Sequence, residues 1–582
     1  MAQKRTGSQI IIELLKQNGI KTVSGIPGGS ILPLYDELAR SGIRHILVRH
    51  EQAAGFIAQG MARVSGKAGV CFATSGPGAM NLLTAIADAR SDSIPLVAIT
   101  GQVNLNLVGT DAFQEADTFG LSFPITKHSM LVKSASELIR AIPLAFAIAE
   151  SGRPGPVLID VPRNVQLELS DIPDDFSTCF KTVYDEYVKS GKGVRFRTTG
   201  EEAIALSHKF ATALLSSKRP VLYLGGGSNN PCAEEKIREF LEIFDCPVVS
   251  SLMALGVVPV DSPAFLGMVG MHGSLCANRA MHDADLVLAA GARFDDRATG
   301  VVEQFCPNAK ILHIDIDAAE VNKIINATEA IIDDCALSFS KIISEMKKLS
   351  VDENLVFART QWFKKCQEEK KIEKNESGAK EKSSFQNPLD FIRSIPEIAE
   401  KSGKNADDII VSTDVGQHQM WTAQGYRFTH TRQFLTSGSL GTMGFGLPAA
   451  IGAALSLPKK RIVCFSGDGS IMMNIQELAT LSELGVDVTV IVLDNGCLGM
   501  VRQQQEFLFD KNYSASTFSK RLDFVKIAEG FGIRAFDATT DESWKKEAFS
   551  GSGPRFVCVK IDGGENVLPF VKAGQANIDA IR

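Results

Sequence analysis

Two polar residues, Asp468 and Asn495, stand where two consecutive apolar, β-branched runs of the sequence end. Asp468 lies in a Gly-Asp-Gly turn, and Asn495 follows about two dozen residues later, with a helical pattern between them. In a parallel sheet, ligands gather beyond the carboxyl ends of the strands, where helix N-termini also point. Mg²⁺ takes carboxylate and amide oxygens and leaves positions for phosphate oxygens, while Gly467 and Gly469 let backbone N–H groups approach the same phosphates. Either turn alone is an ordinary connection, but the pair at this spacing predicts a Mg²⁺–diphosphate site.

The composition describes a globular protein of several domains. The chain has 582 residues, of which 45% are hydrophobic and 22% charged, so about three domains of ordinary size are expected. A net charge of −6 gives no basic field for nucleic acid, so no such partner is predicted. The eleven cysteines include no C-x-x-C pair, which favours free thiols in a reducing compartment. The apolar stretch near the start is short and interrupted by Glu13; no membrane span is predicted, and a cytoplasmic protein is expected.

Strand-like runs alternate with helical patterns along the whole chain. This rhythm predicts an α/β fold of three doubly wound parallel-sheet domains. The domains are predicted at 1–170, 195–350 and 386–582. The segment 351–385 is charged and poor in apolar residues, and it is predicted to be a charged linker or a solvated helix.

The pair of turns resembles the thiamine-diphosphate fingerprint, in which Gly-Asp-Gly is followed after about two dozen residues by Asn-Asn. Asp494 stands where the first Asn of that fingerprint is usual. The resemblance assigns Mg²⁺ to Asp468, to Asn495 and to the backbone carbonyl of Cys497, so the departure leaves these ligands intact. The sequence gives no reason for the extra carboxylate of Asp494 beside a diphosphate.

Glu51 is the candidate for the other end of this cofactor. It follows the run "HILVRH" and opens a helix rich in Ala and Gly. A Glu there is commonly only a helix cap, because a carboxylate is favoured at a helix N-terminus. In thiamine-diphosphate enzymes, however, a Glu bonded to the pyrimidine N1′ favours the imino tautomer, which removes the proton from the thiazolium C2. The stretches "TSGPGAMNLLTAIADA" and "ITGQ" stand at the usual places of a pyrimidine-binding domain and favour this role.

Motifs along about residues 5–575 resemble the catalytic subunits of the biosynthetic acetohydroxyacid synthase (acetolactate synthase) family. They include "PGGSILPLYDEL", "RHEQAAGFIAQGMAR", "SGRPGPVLIDVP", "RFDDRATG", "DVGQHQMW" and "GTMGFGLPAAIGAAL". The resemblance implies that pyruvate is decarboxylated on thiamine diphosphate and that the two-carbon unit is ligated to a second 2-oxoacid. The products would be 2-acetolactate from pyruvate or 2-aceto-2-hydroxybutyrate from 2-oxobutyrate, in valine, leucine and isoleucine biosynthesis.

The resemblance also implies residues for each ligand. Met443 would support the thiazolium, although a Met can simply fill a gap in a core. The central stretch "LYLGGGSNN" lacks the third glycine of a nicotinamide site, and FAD is the ligand that the resemblance implies for this domain. The thiamine diphosphate set is Glu51, Pro77, Asn81, Gln114, Val415, Gly416, Gln417, His418, Gly441, Met443, Gly467, Asp468, Gly469, Ser470, Asn495 and Met500. The FAD set is Arg153, Gly225, Gly226, Gly227, Ser251, Leu252, His272, Gly291, Arg293, Asp315, Ile316 and Asp334.

The substrate pocket would be bordered by Phe113, Gln114, Lys127, Arg297 and Gln504. Arg297 offers a guanidinium that can bind the acceptor carboxylate through two hydrogen bonds; the alternative is a surface ion pair with Asp295 or Asp296. A lone Lys is usually solvated, which is the alternative for Lys127. Most members of the family have a Trp at the position that Gln504 occupies here, and that Trp is associated with a preference for 2-oxobutyrate as acceptor. With Gln504, weak discrimination between pyruvate and 2-oxobutyrate is expected.

Two other functions fit the same scaffold. One is a flavin-dependent pyruvate oxidase or another thiamine-dependent decarboxylase. The other is a catalytically inactive scaffold or regulatory paralogue, which is disfavoured because Glu51, Asp468 and Asn495 are all present. The resemblance implies a homodimer or higher homo-oligomer with active sites between chains. The three domains leave no room for an amino-acid-sensing domain, so a separate small regulatory subunit is expected if valine regulates the enzyme.

Overall fold

The computed structural model describes residues 4–194, 196–376 and 385–582. Residues 1–3 of the predicted first domain, residue 195 of the predicted central domain and residues 377–384 of the predicted linker lie outside the described residues. Three parallel six-stranded sheets follow one another along the chain and are flanked by helices. The predicted α/β fold of three parallel-sheet domains is therefore confirmed.

The first sheet is built from the N-terminal part of the chain. Its six strands are β2 (Thr22–Gly25), β3 (Arg44–Leu47), β4 (Gly69–Ala73), β5 (Leu96–Gln102), β6 (His128–Leu131) and β7 (Pro156–Pro162). A separate antiparallel pair is formed by β1 (Lys4–Thr6) and β8 (Leu169–Asp171). The helices are α1 (Gly7–Gln17), α2 (Leu32–Ser41), α3 (Glu51–Ser65), α4 (Pro77–Ser91), α5 (Thr118–Ser122), α6 (Ala135–Glu150), α7 (Arg163–Leu167) and α8 (Phe176–Lys189). The strand order is β3-β2-β4-β5-β7-β6, so the order reverses between β2 and β4.

The second sheet has the order β11-β10-β9-β12-β13-β14 and reverses between β9 and β12. Its strands are β9 (Pro220–Leu224), β10 (Val248–Ser250), β11 (Phe265–Met268), β12 (Leu286–Ala290), β13 (Lys310–Asp315) and β14 (Glu329–Ile332). The accompanying helices are α9 (Gly200–Ser216), α10 (Pro231–Ile243), α11 (Leu275–Asp283), α12 (Asp296–Thr299), α13 (Cys335–Met346) and α14 (Glu353–Glu376).

Helix α14 occupies most of the segment predicted as a charged linker. Trp362 and Cys366 are buried in it, and the indole N–H of Trp362 donates to the carbonyl of Pro220, 3.1 Å away, at the start of β9. The carboxylate of Glu373 accepts the N–H groups of Leu275 and Cys276 at the start of α11. The helix is thus packed on the central domain through residues such as Trp362, while other apolar residues on it, Phe357 and Ile372, are exposed.

The third sheet has the order β16-β15-β17-β18-β20-β19 and reverses between β15 and β17. Its strands are β15 (Ile410–Thr413), β16 (Phe434–Leu435), β17 (Ile462–Gly467), β18 (Val488–Asp494), β19 (Arg534–Asp537) and β20 (Arg555–Lys560). The helices are α15 (Pro388–Lys401), α16 (Gln417–Gly425), α17 (Gly446–Ser456), α18 (Asp468–Ile471), α19 (Glu477–Leu484), α20 (Gly499–Leu508), α21 (Phe524–Gly530) and α22 (Trp544–Glu547). Strands such as β5, β7, β17 and β18 are buried along their whole length, as expected where helices cover a parallel sheet.

The first and third domains pack through helices α3 and α17. A Cβ atom on Gly60 would lie 2.2 Å from the carbonyl oxygen of Ala449, and one on Gly452 would lie 2.0 Å from that of Ile57. Glycine is required at both positions because the two helix backbones touch there. No helix within the described ranges is both long and apolar enough to cross a membrane.

Candidate cofactor site

Asp468 and Asn495 lie side by side because their strands are neighbours. Strands β17 and β18 pair in parallel from Ile462 opposite Val488 to Gly467 opposite Leu493, so both residues follow directly at the carboxyl edge of the sheet. One carboxylate oxygen of Asp468 accepts the N–H of Gly496 at 2.8 Å, and the other accepts the N–H of Gly469 at 3.0 Å. Both side chains are buried. The carboxylate that ends one strand therefore holds the turn that ends the next.

The unexplained carboxylate of Asp494 has a cationic partner. Its Oδ1 lies 3.8 Å from a guanidinium nitrogen of Arg521 and accepts the N–H of Gly496 at 3.2 Å. Burial, followed by the nearby charge of Asp494, raises the pKa of Asp468 to about 7. Two buried carboxylates with one Arg leave a net negative site, which fits a bound divalent cation.

A loop after β15 forms the opposite wall of the same crevice, at the point where the strand order reverses. His418 is buried there, and its Nε2 has no hydrogen-bond partner in the described part of the chain. Burial lowers the pKa of His418 to about 3, so the imidazole is neutral. A Cβ on Gly416 would lie 2.8 Å from the His418 ring, and one on Gly467 would lie 2.9 Å from it. The glycine backbones fit a group rich in acceptor oxygens, such as a diphosphate, because their N–H groups can approach it closely. The unpaired nitrogen is a further polar atom for a ligand in this crevice.

The predicted metal ligands include only one acidic side chain, that of Asp468. Among the described residues, no group of three or more His, Cys, Asp or Glu side chains could hold a metal ion. The predicted ion would therefore rely on one carboxylate, one amide oxygen and carbonyl or phosphate oxygens, a ligand set that suits Mg²⁺ rather than Zn²⁺.

Four residues predicted at the pyrimidine end lie together in the first domain. Glu51 opens helix α3, and its Oε2 accepts a hydrogen bond from the Nδ2 of Asn81 at 2.9 Å. Pro77 opens α4 just after Gly76, where a Cβ would lie 2.7 Å from the carbonyl oxygen of Gln114. Gln114 itself has a positive φ of 58°, which is uncommon for a residue with a side chain.

A hydrogen-bonded link joins this group to the loop that carries Met443. Asn474 donates from Nδ2 to the side-chain oxygen of Gln52, next to Glu51, at 3.3 Å and to the carbonyl of Gly444 at 2.7 Å. Met443 is only half-buried in that loop. It is therefore not packed as a core residue in this chain.

The glycines predicted for FAD meet at the reversal point of the central sheet. Gly225, Gly226 and Gly227 follow β9, and Gly291 follows β12. The N–H of Gly227 donates to the carbonyl of Gly291 at 3.0 Å, and a Cβ on Gly227 would lie 2.8 Å from the Cα of Gly291. The other predicted residues of this domain also lie at the carboxyl ends of its strands. Asp315 ends β13, and the others follow a strand: Ser251, Leu252, His272, Arg293, Ile316 and Asp334.

Several of these side chains already have partners. The guanidinium of Arg153 is paired with Asp317 at 3.2 Å and with Glu320 at 2.5 Å. The carboxylate of Asp334 caps helix α13. By contrast, the Nδ1 of buried His272 has no partner among the described residues, and burial lowers the pKa of its ring to about 4.

The residues predicted for the substrate are not brought together within this chain. Phe113 is 89% exposed, and Gln504 is half-buried on α20. The Lys127 ammonium donates to the carbonyls of Ile148 and Ser151, the latter at 2.7 Å, and burial lowers its pKa to about 8. The Arg297 side chain is 65% exposed and lies 3.7 Å from the carboxylate of Asp296. Within one chain it therefore forms the surface ion pair that the sequence offered as the alternative to binding the acceptor carboxylate.

One residue that sequence reasoning missed is Asp414, directly after β15. Its buried carboxylate accepts the N–H groups of Val415 and Gly444, each at 2.8 Å, and burial raises its pKa to about 7. It thereby joins the loop before His418 to the loop of Met443. The rule that identified Asp468, a carboxylate directly after a buried strand, would also have identified Asp414.

A second missed group is a buried ion cluster between the domains. Arg63 lies 2.9 Å from Asp92 and 3.5 Å from Asp88. Asp92 accepts the N–H groups of Gly438 and Ser439, at 3.0 and 2.9 Å. The cluster therefore fixes the start of the loop that leads to Met443. The contacts from Asp92 to Gly438 and Ser439 join residues 346 and 347 positions apart, so no local pattern could have indicated them.

Comparison with known proteins gives consistent matches. The model of the N-terminal TPP binding domain of thiamine pyrophosphate enzymes matches residues 5–121, that of their central domain matches 207–342, and that of their C-terminal TPP binding domain matches 414–559. The acetolactate synthase isozyme 1 large subunit of Escherichia coli (strain K12) is 47% identical, with 99% of this chain and 97% of the relative covered. The isozyme 2 large subunit of the same strain is 41% identical, with 99% of each covered. The probable acetolactate synthase large subunit of Methanocaldococcus jannaschii is 40% identical, with 98% of this chain and 94% of the relative covered.

Proposed function

Because the chain belongs to the acetolactate synthase large subunits of the thiamine pyrophosphate (thiamine diphosphate) enzyme family, we propose that it decarboxylates pyruvate and ligates the two-carbon unit to a second 2-oxoacid. Pyruvate as acceptor gives 2-acetolactate, and 2-oxobutyrate gives 2-aceto-2-hydroxybutyrate, the precursors of valine, leucine and isoleucine. The observation that carries this proposal is the crevice in which Asp468, Asn495 and His418 converge at adjoining strand ends.

At the diphosphate end, Asp468, Asn495 and the carbonyl of Cys497 would hold Mg²⁺. The glycine-lined loops at 415–418 and 467–470 would hold the phosphate oxygens through backbone N–H groups. The imidazole of His418 leaves its Nε2 unpaired among the described residues, as a polar contact for the ligand. Bound thiamine diphosphate would supply a carbon nucleophile and accept the electrons released by decarboxylation.

At the other end, Glu51 would hold a proton at the pyrimidine N1′. Its hydrogen bond from Asn81 leaves Oε1 available for that contact and fixes the plane of the carboxylate. Half-buried Met443 would lie against the thiazolium, its loop being held by Asp414 and Asn474. These side chains orient the cofactor, and Glu51 alone exchanges a proton with it.

FAD is proposed for the central crevice. The apposed glycines after β9 and β12 leave backbone surface for a nucleotide, and the unpaired Nδ1 of His272 is a further polar group for the ligand. Decarboxylation and ligation balance without electron transfer, so the flavin would not turn over during the reaction.

The proposed active unit is at least a homodimer, with a separate small subunit as the proposed regulatory partner. Glu51 lies in the first domain and Asp468 in the third. Exposed apolar side chains flank both regions, among them Phe113 at 89%, Phe123 at 69% and Met473 at 52%. A second copy of the chain would cover such residues and would bring the scattered substrate residues to one pocket.

The reaction is tested by incubating the purified chain with pyruvate, thiamine diphosphate and Mg²⁺. We expect one CO₂ and one 2-acetolactate for every two pyruvate molecules consumed, with no flavin reduction. Stoichiometric flavin reduction would contradict the proposal and indicate an oxidase. Absence of CO₂ release in fully loaded protein would indicate an inactive paralogue.

The dimer is tested by mixing two inactive variants, Glu51→Gln and Asp468→Ala, under conditions of subunit exchange. If each site takes Glu51 from one chain and Asp468 from the other, hybrid dimers contain one intact site and recover part of the activity. No recovery despite verified exchange would contradict an active site between chains.

A further inference from the structure

Three buried side-chain amides form a continuous chain that ends at Asn495. The N–H of Val567 donates to Oε1 of Gln503 at 2.7 Å, and Nε2 of Gln503 donates back to the carbonyl of Val567 at 3.0 Å. Nε2 of Gln417 donates to the same Oε1 of Gln503 at 3.0 Å. Nδ2 of Asn495 then donates to Oε1 of Gln417 at 3.2 Å. Gln503, Gln417 and Asn495 are all buried.

The backbone of Val567 determines which end of each of these three side-chain amides donates and which accepts. A side-chain amide has one accepting and one donating end, and its orientation follows from its partners. Since a backbone N–H and C=O cannot exchange places, Gln503 must turn its oxygen towards Gln417. Gln417 must then turn its nitrogen towards Gln503, and the carbonyl of Glu565 accepts from that nitrogen at 2.9 Å. The nitrogen of Asn495 is thereby directed to Gln417.

The orientation of Asn495 decides what a cation would meet. With Nδ2 directed to Gln417, its Oδ1 lies on the other side, where it accepts the N–H of Cys497 at 3.0 Å and can bind a metal ion with a second lone pair. An amide turned the other way would present its NH₂ group to the cation. Amide nitrogen is not a ligand for Mg²⁺, which selects oxygen.

The hydrogen-bonded amides of Gln417 and Asn495 pack closely against the start of helix α20, at Gly499. This glycine is the first residue of α20, which carries Gln503 one turn later. A Cβ on Gly499 would lie 2.0 Å from Oε1 of Gln417 and 2.5 Å from Nδ2 of Asn495. The helix therefore begins with a glycine where the two amides pass.

We propose that Gln503 is a positioning residue for the divalent cation: acting through Gln417, it holds the carbonyl oxygen of Asn495 towards the metal. This inference rests on the proposed function only in taking Asn495 as a metal ligand. Gln503 itself contacts neither cation nor substrate in this role. Residues that orient metal ligands in this way typically change metal affinity by about 10- to 100-fold when replaced.

The experiment measures Mn²⁺ binding to the full-length protein in the presence of thiamine diphosphate, from the electron paramagnetic resonance signal of free Mn²⁺. We expect Gln503→Met, which keeps the length of the side chain but removes its amide, to weaken Mn²⁺ binding by about 10-fold. The matched control is Gln433→Met. Gln433 is also buried and bonded to the backbone, at Ile409 and Thr429, but it precedes β16 at the opposite edge of the same sheet. The control should lose stability and keep the Mn²⁺ affinity.

Two further variants keep the test decisive if Gln503→Met does not fold. Gln503→Glu retains the volume and the acceptor that faces Gln417, so its Mn²⁺ affinity should lie between those of the wild type and Gln503→Met. Gly499→Ala displaces the two amides without altering Gln503 and should also weaken binding. A Mn²⁺ affinity within twofold of the wild type in folded Gln503→Met, or in Gly499→Ala if Gln503→Met does not fold, would overturn the inference.

The outcomes separate this inference from the proposed reaction. Mn²⁺ binding that depends on Gln503 in a protein that forms no acetolactate would contradict the reaction and support the positioning role. Mn²⁺ binding that is equal in the wild type and in Asp468→Asn would show that the ion lies elsewhere. Both the proposed metal site and the positioning role of Gln503 would then be contradicted.

Discussion

The first and third domains each place a carboxylate at the carboxyl edge of a parallel sheet, but the two carboxylates are held differently. Asp468 is buried, and both of its oxygens accept backbone N–H groups. Glu51 is half-buried, and its hydrogen-bond partner is the side chain of Asn81. A charge fixed by the backbone suits a stationary cation, whereas a carboxylate held by one side chain can share a proton with a ligand. Identical folds thus supply different chemistry through the contacts of single residues.

The central domain provides a third case, a parallel six-stranded sheet whose strand order, β11-β10-β9-β12-β13-β14, differs from the order that the other two domains share. At its reversal point, Gly225 to Gly227 follow β9 and Gly291 follows β12, with Arg293 two residues further on. The apposed glycines offer a ligand backbone atoms and close approach, in place of the carboxylate found in the other two domains. The comparison predicts that substitutions in the three crevices will affect three separate properties: proton transfer, metal binding and nucleotide retention.

The largest effect is expected for Glu51→Gln in the first domain. The amide has almost the same volume but cannot share a proton with the pyrimidine, and positioned acid–base groups contribute about 10²- to 10⁴-fold to turnover. Acetolactate formation should fall by that range, while Mn²⁺ and cofactor binding stay within a few-fold. The control is Glu137→Gln, a glutamate in the first turn of α6 in the same domain. Near-normal turnover of Glu51→Gln would assign this residue the role of a helix cap alone.

Asp468→Asn in the third domain should mainly affect the metal. The amide removes the charge of a direct ligand, so Mn²⁺ binding should weaken by more than about 100-fold, the upper value for residues that only orient ligands. Turnover should recover in part at high Mn²⁺, unlike that of Glu51→Gln. Asp487→Asn is the control, because Asp487 precedes β18 at the opposite edge of the sheet. Equal metal affinity in Asp468→Asn and wild type would remove the distinction drawn between the two carboxylates.

In the central crevice, Gly227→Ala should affect nucleotide retention. The new methyl group would lie 2.8 Å from the Cα of Gly291, so the two loops must separate. We expect less FAD to copurify, measured as flavin absorbance per chain, and an unchanged Mn²⁺ affinity. Gly530→Ala is the control, since a Cβ there meets no atom within 4 Å. Full flavin content in a folded Gly227→Ala protein would exclude this crevice as the site.

The strand-end residues could be predicted from the sequence because their positions follow from local pattern. Asp468, Asn495 and Gly225 to Gly227 come directly after buried strands, and the parallel sheet brings such positions to one edge. The partner of Asp494 could not be predicted in this way. Arg521 reaches it from beyond helix α20, and nothing in the spacing of the two residues marks the contact.

Contacts between domains could not be predicted from the sequence either. The cluster of Arg63, Asp88 and Asp92 binds the loop at Gly438 and Ser439 through tertiary packing alone. The residues predicted for the substrate lie apart within the single chain, and their motifs did not indicate this separation. Local chemistry was accessible to sequence reasoning, whereas distant charge pairing was not.

The smallest effect is expected for Gln504, one residue after the positioning amide of Gln503. A step of one residue turns the side chain by about 100° around the helix, so Gln504 leaves the buried face and is half-buried. A Trp there would add an apolar surface for the extra methylene of 2-oxobutyrate, worth about 0.8 kcal/mol by area and about 1–3 kcal/mol in a well-shaped pocket. We expect the wild type to discriminate weakly, leaning towards pyruvate and acetolactate, and Gln504→Trp to raise the preference for 2-oxobutyrate by about 10-fold.

Gln504→Ala, which removes the amide without adding a surface, should leave the preference unchanged. Competition between equal concentrations of the two acceptors, with both products quantified, measures the effect. A strong preference of the wild type for 2-oxobutyrate would show that other residues form the apolar wall.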